Sequence, residues 1–316
     1  MFYWLNWIED SLWAYLCFPA ILIVGGILTW ESRLFQIRKF PHVVARFYHL
    51  LFLREPSDRR GVHPLKAFFF FFCGCVGIGN IVGICTGIQI GGPGALFWVW
   101  CTALLGVVVK YAEVYLGIKY RELSADGGYN GGPMYFLQRV SGSLFFPKVV
   151  CLLLCIYGVE IYQFSIIAHN VSINFHWNPY LVIGVLLAMV IFAGSGGVRR
   201  VGNISSAIIP FFVLLFLGMG IWVLILHAHA IPEAIADVFR SAFTGHAAIG
   251  GFVGSGIMMT VSQGIRRACY SGDIGIGYAS VIHSETAQEA PEKQASLVLF
   301  DIFLDTFVIC TMSLIL

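Results

Sequence analysis

The segment Gly74-Cys75-Val76-Gly77-Ile78-Gly79-Asn80-Ile81-Val82-Gly83 sets four glycines and one amide side chain inside an otherwise apolar stretch. A second glycine-rich region runs from Gly250-Gly251-Phe252-Val253-Gly254-Ser255-Gly256 through Gly264 to Gly272-Asp273-Ile274-Gly275-Ile276-Gly277. A glycine in a helix interior costs about 1 kcal/mol relative to alanine, so such clusters need a reason. One reason is close packing of helices through small residues. The other is a helix that unwinds, leaving N–H and C=O groups that must face a cavity or a ligand. The clustering favours the second and predicts interruptions near Gly77–Asn80 and near Ser255–Gly272.

Glu160, Asp301 and Asp305 also fall within apolar runs, where an ionisable group is expensive and by default faces the interior of a bundle. Asp301 and Asp305 lie one helical turn apart and share a face. Lys110 and Glu113, three residues apart, read as a paired structural link near a helix end, with gating as the alternative. The nine cysteines, at 17, 73, 75, 85, 101, 151, 155, 269 and 310, lack the spacing of a zinc site or a disulfide framework and read as buried thiols. No nucleophile, metal or cofactor constellation emerges, which argues against an enzyme.

The elements that must position these groups follow from composition. Of 316 residues, 58% are hydrophobic and 11% charged, against about half and about a quarter in an ordinary soluble domain. That excess cannot be hidden in a soluble core, so the chain reads as a multispanning membrane protein whose partner is the lipid bilayer. Lys and Arg number 19 against 17 Asp and Glu, leaving no basic surplus for nucleic acid. Runs long enough to span, about 20 residues each, fall at 12–30, 67–90, 95–118, 149–169, 180–195, 205–227, 249–270 and 297–316. They are continuous rather than alternating, hence helices and not barrel strands. Arg33, Arg38, Lys39, Arg46, Arg54, Arg59, Arg60 and Lys66 place the loop 31–66 on the cytoplasmic side. Basic residues in 119–148, 196–203 and 284–296 agree with that orientation, the outside loops 91–94, 170–179 and 228–248 hold one basic residue, Arg240, and the N-terminus falls outside.

With 12–30 set aside as an extra N-terminal span, the glycine-broken spans are the first and sixth of the remainder. A separation of five is what an inverted repeat of five plus five spans produces, and broken helices at corresponding positions mark the binding site of secondary transporters. The expected fold is therefore all-α, a polytopic membrane protein with a partial five-plus-five inverted-repeat transporter fold. Residues 67–227 form the first repeat, and 249–316 open the second with two spans. On this reading the chain is C-terminally truncated.

Gly91-Gly92-Pro93-Gly94-Ala95-Leu96-Phe97-Trp98-Val99-Trp100 resembles the GGPG-x-x-FWMW signature of the alanine or glycine:cation symporter family, the sodium:alanine symporters, with Val99 in place of Met. Gly79-Asn80-Ile81-Val82-Gly83, Lys110-Tyr111-Ala112-Glu113, Lys119-Tyr120-Arg121-Glu122 and Gly131-Gly132-Pro133-Met134-Tyr135 support the resemblance. It covers nearly the whole chain and thins after residue 260. The GGPG turn and the aromatic residues Phe97, Trp98 and Trp100 read as structural.

In the resembling fold the broken first core span carries substrate and sodium contacts, and this implies roles for residues 75–80. Ile78 and Gly79 would offer N–H groups to a substrate carboxylate at the start of a half-helix. The carbonyls of Cys75 and Val76, with the side-chain oxygen of Asn80, would suit sodium, a hard cation. Gln163 matches a family glutamine and has donor and acceptor groups for an amino acid head group; its alternative is to satisfy a backbone carbonyl. Tyr270, Ser271 and Gly272 stand where the family reads RGLFSNEAG and this chain reads Arg267-Ala268-Cys269-Tyr270-Ser271-Gly272-Asp273-Ile274-Gly275. A phenol in place of a phenyl narrows or polarises the side-chain pocket. Asp305, in Phe303-Leu304-Asp305-Thr306, corresponds to a family aspartate and reads as structural or cation-related.

The resemblance implies sodium-coupled symport of alanine, glycine or a similar small neutral amino acid across the cytoplasmic (inner) membrane, with sodium as coupling ion and no other cofactor. The alternative is a truncated remnant that inserts without transporting, or one half of a split transporter completed by a separately encoded C-terminal fragment. In the resembling fold the eighth core span completes a sodium site against the first.

Overall fold

Apolar runs become helices almost throughout the computed structural model, which describes residues 2–52, 61–77, 79–124, 127–159, 161–244 and 253–315. Among these residues the one sheet is a hairpin pairing Glu122–Leu123 with Tyr129–Asn130. The chain is an all-α polytopic membrane protein. Helix Pro179–Gly194 and the part of Gly197–Leu226 beyond Ser206 are apolar on all sides and leave Phe192, Phe211, Leu214 and Trp222 more than half exposed. A helix that is hydrophobic all round needs lipid or protein on every face.

Among the described residues, three helices are long and apolar enough to cross a bilayer, Ala95–Lys119, Gly197–Leu226 and Pro291–Ile315. A bent pair, Pro64–Cys75 and Gly79–Gly91, whose axes differ by 49°, meets the same length and apolarity as a unit, as a broken span or a re-entrant loop does. Ala95–Lys119 lies at the centre. Its Ala103, Val107, Val108, Val114 and Ile118 join Ile265, Cys269, Val298 and Ile302 in the largest core cluster. Gly92, in the turn that starts this helix, has φ +77°, a conformation that glycine adopts without strain.

Four expectations need correction. The stretch 31–66 is not simply a loop: it holds helix Phe40–Phe52, whose Val43, Phe47 and Leu50 recur on one face and are buried. The segment 149–169 is two helices, Phe145–Tyr157 and Ile161–Phe175, separated around Gly158. The segment 228–248 contains the amphipathic helix Ile231–Thr244, whose Ala242 carbonyl accepts a hydrogen bond from Trp98 Nε1 at 3.1 Å.

The fourth correction concerns the second glycine region. Helix Val253–Gly272 is continuous, and the chain leaves helical geometry only after Gly272, resuming at Tyr278–Ser284. Gly264 serves packing, since a Cβ there would come within 2.5 Å of the Ala95 carbonyl. The interruption forms where Asp273, Gly275 and Gly277 all take positive φ. Gly250 and Gly251 lie outside the described residues.

On the side carrying the basic loops, Arg121 ties the end of the central helix to the segment after Ser284. Its guanidinium donates to the carbonyls of Ser284 (2.9 Å), Thr286 (2.6 Å) and Gln288 (3.1 Å). Partial burial pulls the Arg121 pKa below the usual arginine value. Val62 exchanges backbone hydrogen bonds with Glu285 and Ala287, so three segments distant in sequence close together here.

Candidate functional site at two helix breaks

The first break follows from residues 74–80. Val76 is extended, with φ −83° and ψ 99°, so the helical ladder ends there and N–H groups lose their partners. Asn80 replaces one of them: its Oδ1 accepts the Gly77 N–H at 3.1 Å. One lone pair of the Asn80 oxygen is therefore engaged by the backbone. Its Nδ2 donates to Asp305 Oδ1 at 2.5 Å and contacts Ser271 Oγ at 3.3 Å and Cys310 Sγ at 3.4 Å.

Ser271 Oγ donates to Asp305 Oδ2 at 2.5 Å, and Thr306 Oγ1 to the same oxygen at 3.1 Å. Asp305 is fully buried. Both its oxygens are thus held by neutral donors. It sits in the π-helical segment Phe303–Cys310, a widened turn of the kind often found at functional sites.

The second break is held by charges. Lys110, fully buried, pairs with Asp301 and donates to the Gly272 carbonyl at 2.8 Å. Its ammonium lies 4.2 Å from the centroid of the Phe71 ring. A cation suits the last carbonyls of a helix, where the dipole is negative. Asp273 caps the helix that follows, with Oδ2 accepting the Ala279 N–H at 2.9 Å. Lys110 and Glu113 do not form the link that their spacing suggests. Glu113 Oε1 instead accepts the Ser280 N–H at 3.2 Å, because both side chains point across to the second break.

A cavity of 390 Å³ opens between the breaks, lined by Gly79, Gly83, Thr86, Gln163, Arg267 and Ser271 among others. A lobe of 160 Å³ shares Gly74, Cys75, Tyr157, Gln163 and Tyr270 with it and adds Asp273 and Tyr278. Cys75, Gly79, Gln163, Tyr270 and Ser271, separated widely in sequence, therefore meet at one cavity. A Cβ on Gly79 would have nothing within 4 Å, and one on Gly77 would lie 3.1 Å from Gln163 Oε1.

Gly272 lies elsewhere, and the candidate group of Val76 is its carbonyl and not its side chain. Gly272 does not line the cavity: a Cβ there would meet Ile302 Cδ1 at 2.7 Å, and its carbonyl is taken by Lys110. The Val76 side chain enters a core cluster with Phe68, Phe72 and Ile309. Ile78 and Glu160 lie outside the described residues. Sequence reasoning did not single out Arg267, Tyr157 or Asp273 as site residues. The rule that marked Glu160, Asp301 and Asp305, a charge within an apolar helical region, applies equally to Arg267 and Asp273.

Helices broken beside a cavity of mixed polar and apolar lining, in a chain whose other helices expose large apolar side chains, are the features of a membrane transporter. Residues 1–316 match the sodium:alanine symporter family, and the chain belongs to that family. Its relatives include an uncharacterized transporter of Haemophilus influenzae, 32% identical over 98% of this chain and 68% of that protein. The sodium/alanine symporter AgcS of Methanococcus maripaludis is 29% identical over 98% of this chain and 68% of its own length. The probable sodium/glutamine symporter GlnT of Bacillus subtilis is 29% identical over 96% and 62% respectively. The chain spans about two thirds of the length of these relatives. It is an amino-acid transporter by family and not an enzyme.

Proposed function

We propose that this protein couples movement of a small neutral amino acid to sodium, binding the amino acid in the two-lobed cavity and sodium beside Asp305. The observation that carries this reading is the contrast between two carboxylates one turn apart. Asp301 has the Lys110 ammonium, whereas Asp305, equally buried, has among the described residues only Asn80, Ser271 and Thr306 as hydrogen-bond donors of nitrogen or oxygen type. A buried charge without a counter-charge is strongly disfavoured, and a sodium ion supplies one.

The oxygens that suit sodium are those of Asp305, Ser271 and Thr306, with the Cys75 and Val76 carbonyls of the broken helix as further ligands. Asn80 is a positioning residue, fixing Asp305 and the broken turn at once. Gly79, Gln163, Tyr270 and Ser271 line the amino acid's place, with Ile78 adjoining in sequence. The protein resides in the cytoplasmic membrane with its N-terminus outside, following the distribution of basic residues.

The test is thermal melting of the purified protein in detergent, in sodium or potassium chloride, with and without alanine. A ligand at about 100 times its Kd stabilises by about 2.7 kcal/mol, so sodium plus alanine should raise the Tm well above either potassium condition. Equal melting in sodium and potassium, with alanine present, would overturn the sodium assignment.

A further inference from the structure

The smaller lobe ends on a carboxylate that forms no ion pair among the described residues. Asp273 is 2% exposed and lines the lobe together with Tyr157, Gln163 and Tyr278. Among the described residues its hydrogen-bond donors are neutral: Tyr157 Oη donates to Oδ1 at 3.3 Å, and the Ala279 N–H donates to Oδ2 at 2.9 Å. The nearby ammonium of Lys110 is engaged by Asp301 and by the Gly272 carbonyl. Each carboxylate oxygen can accept further hydrogen bonds.

Asp273 also has φ +48°. A non-glycine residue in the left-handed region is uncommon, and Asp tolerates it better than most. The conformation belongs to the interruption that places this carboxylate at the cavity. At the larger lobe stands the opposite charge: the Arg267 side chain lies over Gly83 and Gly87, where a Cβ would come within 3.4 Å of its Nη1 and 2.9 Å of its Cγ. A carboxylate, Asp273, thus lines the smaller lobe, and a guanidinium, Arg267, lines the larger one.

We propose that Asp273 binds the α-ammonium of the transported amino acid, with the substrate carboxylate directed to the larger lobe. This rests on the cavity being the substrate site. Every α-amino acid carries the ammonium whatever its side chain, so Asp273 sets the requirement for a free amine and not the choice among side chains. The Tyr157 hydroxyl orients the carboxylate.

The experiment is isothermal titration of the purified full chain in sodium chloride with L-alanine, L-glutamine and N-acetyl-L-alanine, which lacks the ammonium. The wild type should bind either or both free amino acids and not the acetylated one. Asp273→Asn keeps an oxygen for the Ala279 N–H but removes the charge. It should weaken every free amino acid by a similar factor, about tenfold to a hundredfold, while the sodium-induced Tm shift without amino acid stays. If Asp273→Asn does not fold, Tyr157→Phe should weaken both amino acids by a common factor of about three to ten. Alanine binding unchanged in whichever of these variants folds would overturn the assignment, as would a loss confined to glutamine, which would make Asp273 a side-chain contact. A wild type that binds no free amino acid would overturn the substrate-site reading and this assignment with it.

Discussion

The two helix breaks solve one problem by different means. Between Cys75 and Gly79 the freed backbone is satisfied by a neutral amide, Asn80. Between Gly272 and Tyr278 the helix end is held by the Lys110 ammonium and the next helix start by the Asp273 carboxylate. Each charge complements the dipole end it touches. At the charged break the end of helix Val253–Gly272 is thus fixed by an ion pair internal to the chain, and Asp273 keeps room for the substrate ammonium. The neutral break leaves the neighbouring Asp305 carboxylate without a counter-charge from the side chains that hold it, and that is the place where an exchangeable cation has a role.

Lys110→Met should have the largest effect on stability. It leaves Asp301 buried and unpaired, which costs about 3–5 kcal/mol, read as a large fall in Tm in detergent. Adding Asp301→Leu should recover most of the loss, because a well-packed apolar pair replaces a buried ion pair at little cost. If the single variant melts like the wild type, the second break is not held by charge.

Asn80→Ala should be next, at about 1–3 kcal/mol, since it strands the Gly77 N–H and removes a donor from Asp305. The same melts in sodium-free buffer measure it. Asp305→Asn should change sodium-free stability by less than about 1 kcal/mol, because an amide keeps much of the hydrogen bonding of the carboxylate. Its sodium-dependent Tm shift should vanish. Retention of that shift would move the cation away from Asp305. Gly79→Leu should be smallest in stability, within about 0.5 kcal/mol, since the new side chain enters open cavity. Alanine binding should nonetheless be lost, and calorimetry that finds it intact would remove Gly79 from the substrate site.

The first break was legible because its glycines are dense and its single amide conspicuous. The second was misplaced because counting glycines does not separate packing positions from turn positions. Gly264 meets the Ala95 backbone, and only the later Gly275 and Gly277 adopt left-handed geometry. The Lys110 pairing was hidden for another reason. Spacing along one helix sees Glu113, whereas the true partner, Asp301, is 191 residues away. Helix Phe40–Phe52 was overlooked because its basic residues dominate the reading of 31–66, although Val43, Phe47 and Leu50 already mark an amphipathic face. The interruption near Gly158 has only one glycine to announce it. The cavity itself brings together residues from three distant stretches, 73–86, 157–163 and 267–278, and no local pattern contains that information.

The π-helical segment Phe303–Cys310 makes this helix intolerant of length change. Asp301 lies before the widened turn and Asp305 within it, so the two carboxylates are placed by different stretches of backbone. Deleting Phe303 or Leu304 would turn the following residues by about 100° per residue removed while leaving Asp301 on Lys110. A single-codon deletion there would separate two functions that any substitution at either carboxylate leaves in register: the helix would stay anchored, and its ion-facing side would be pointed elsewhere.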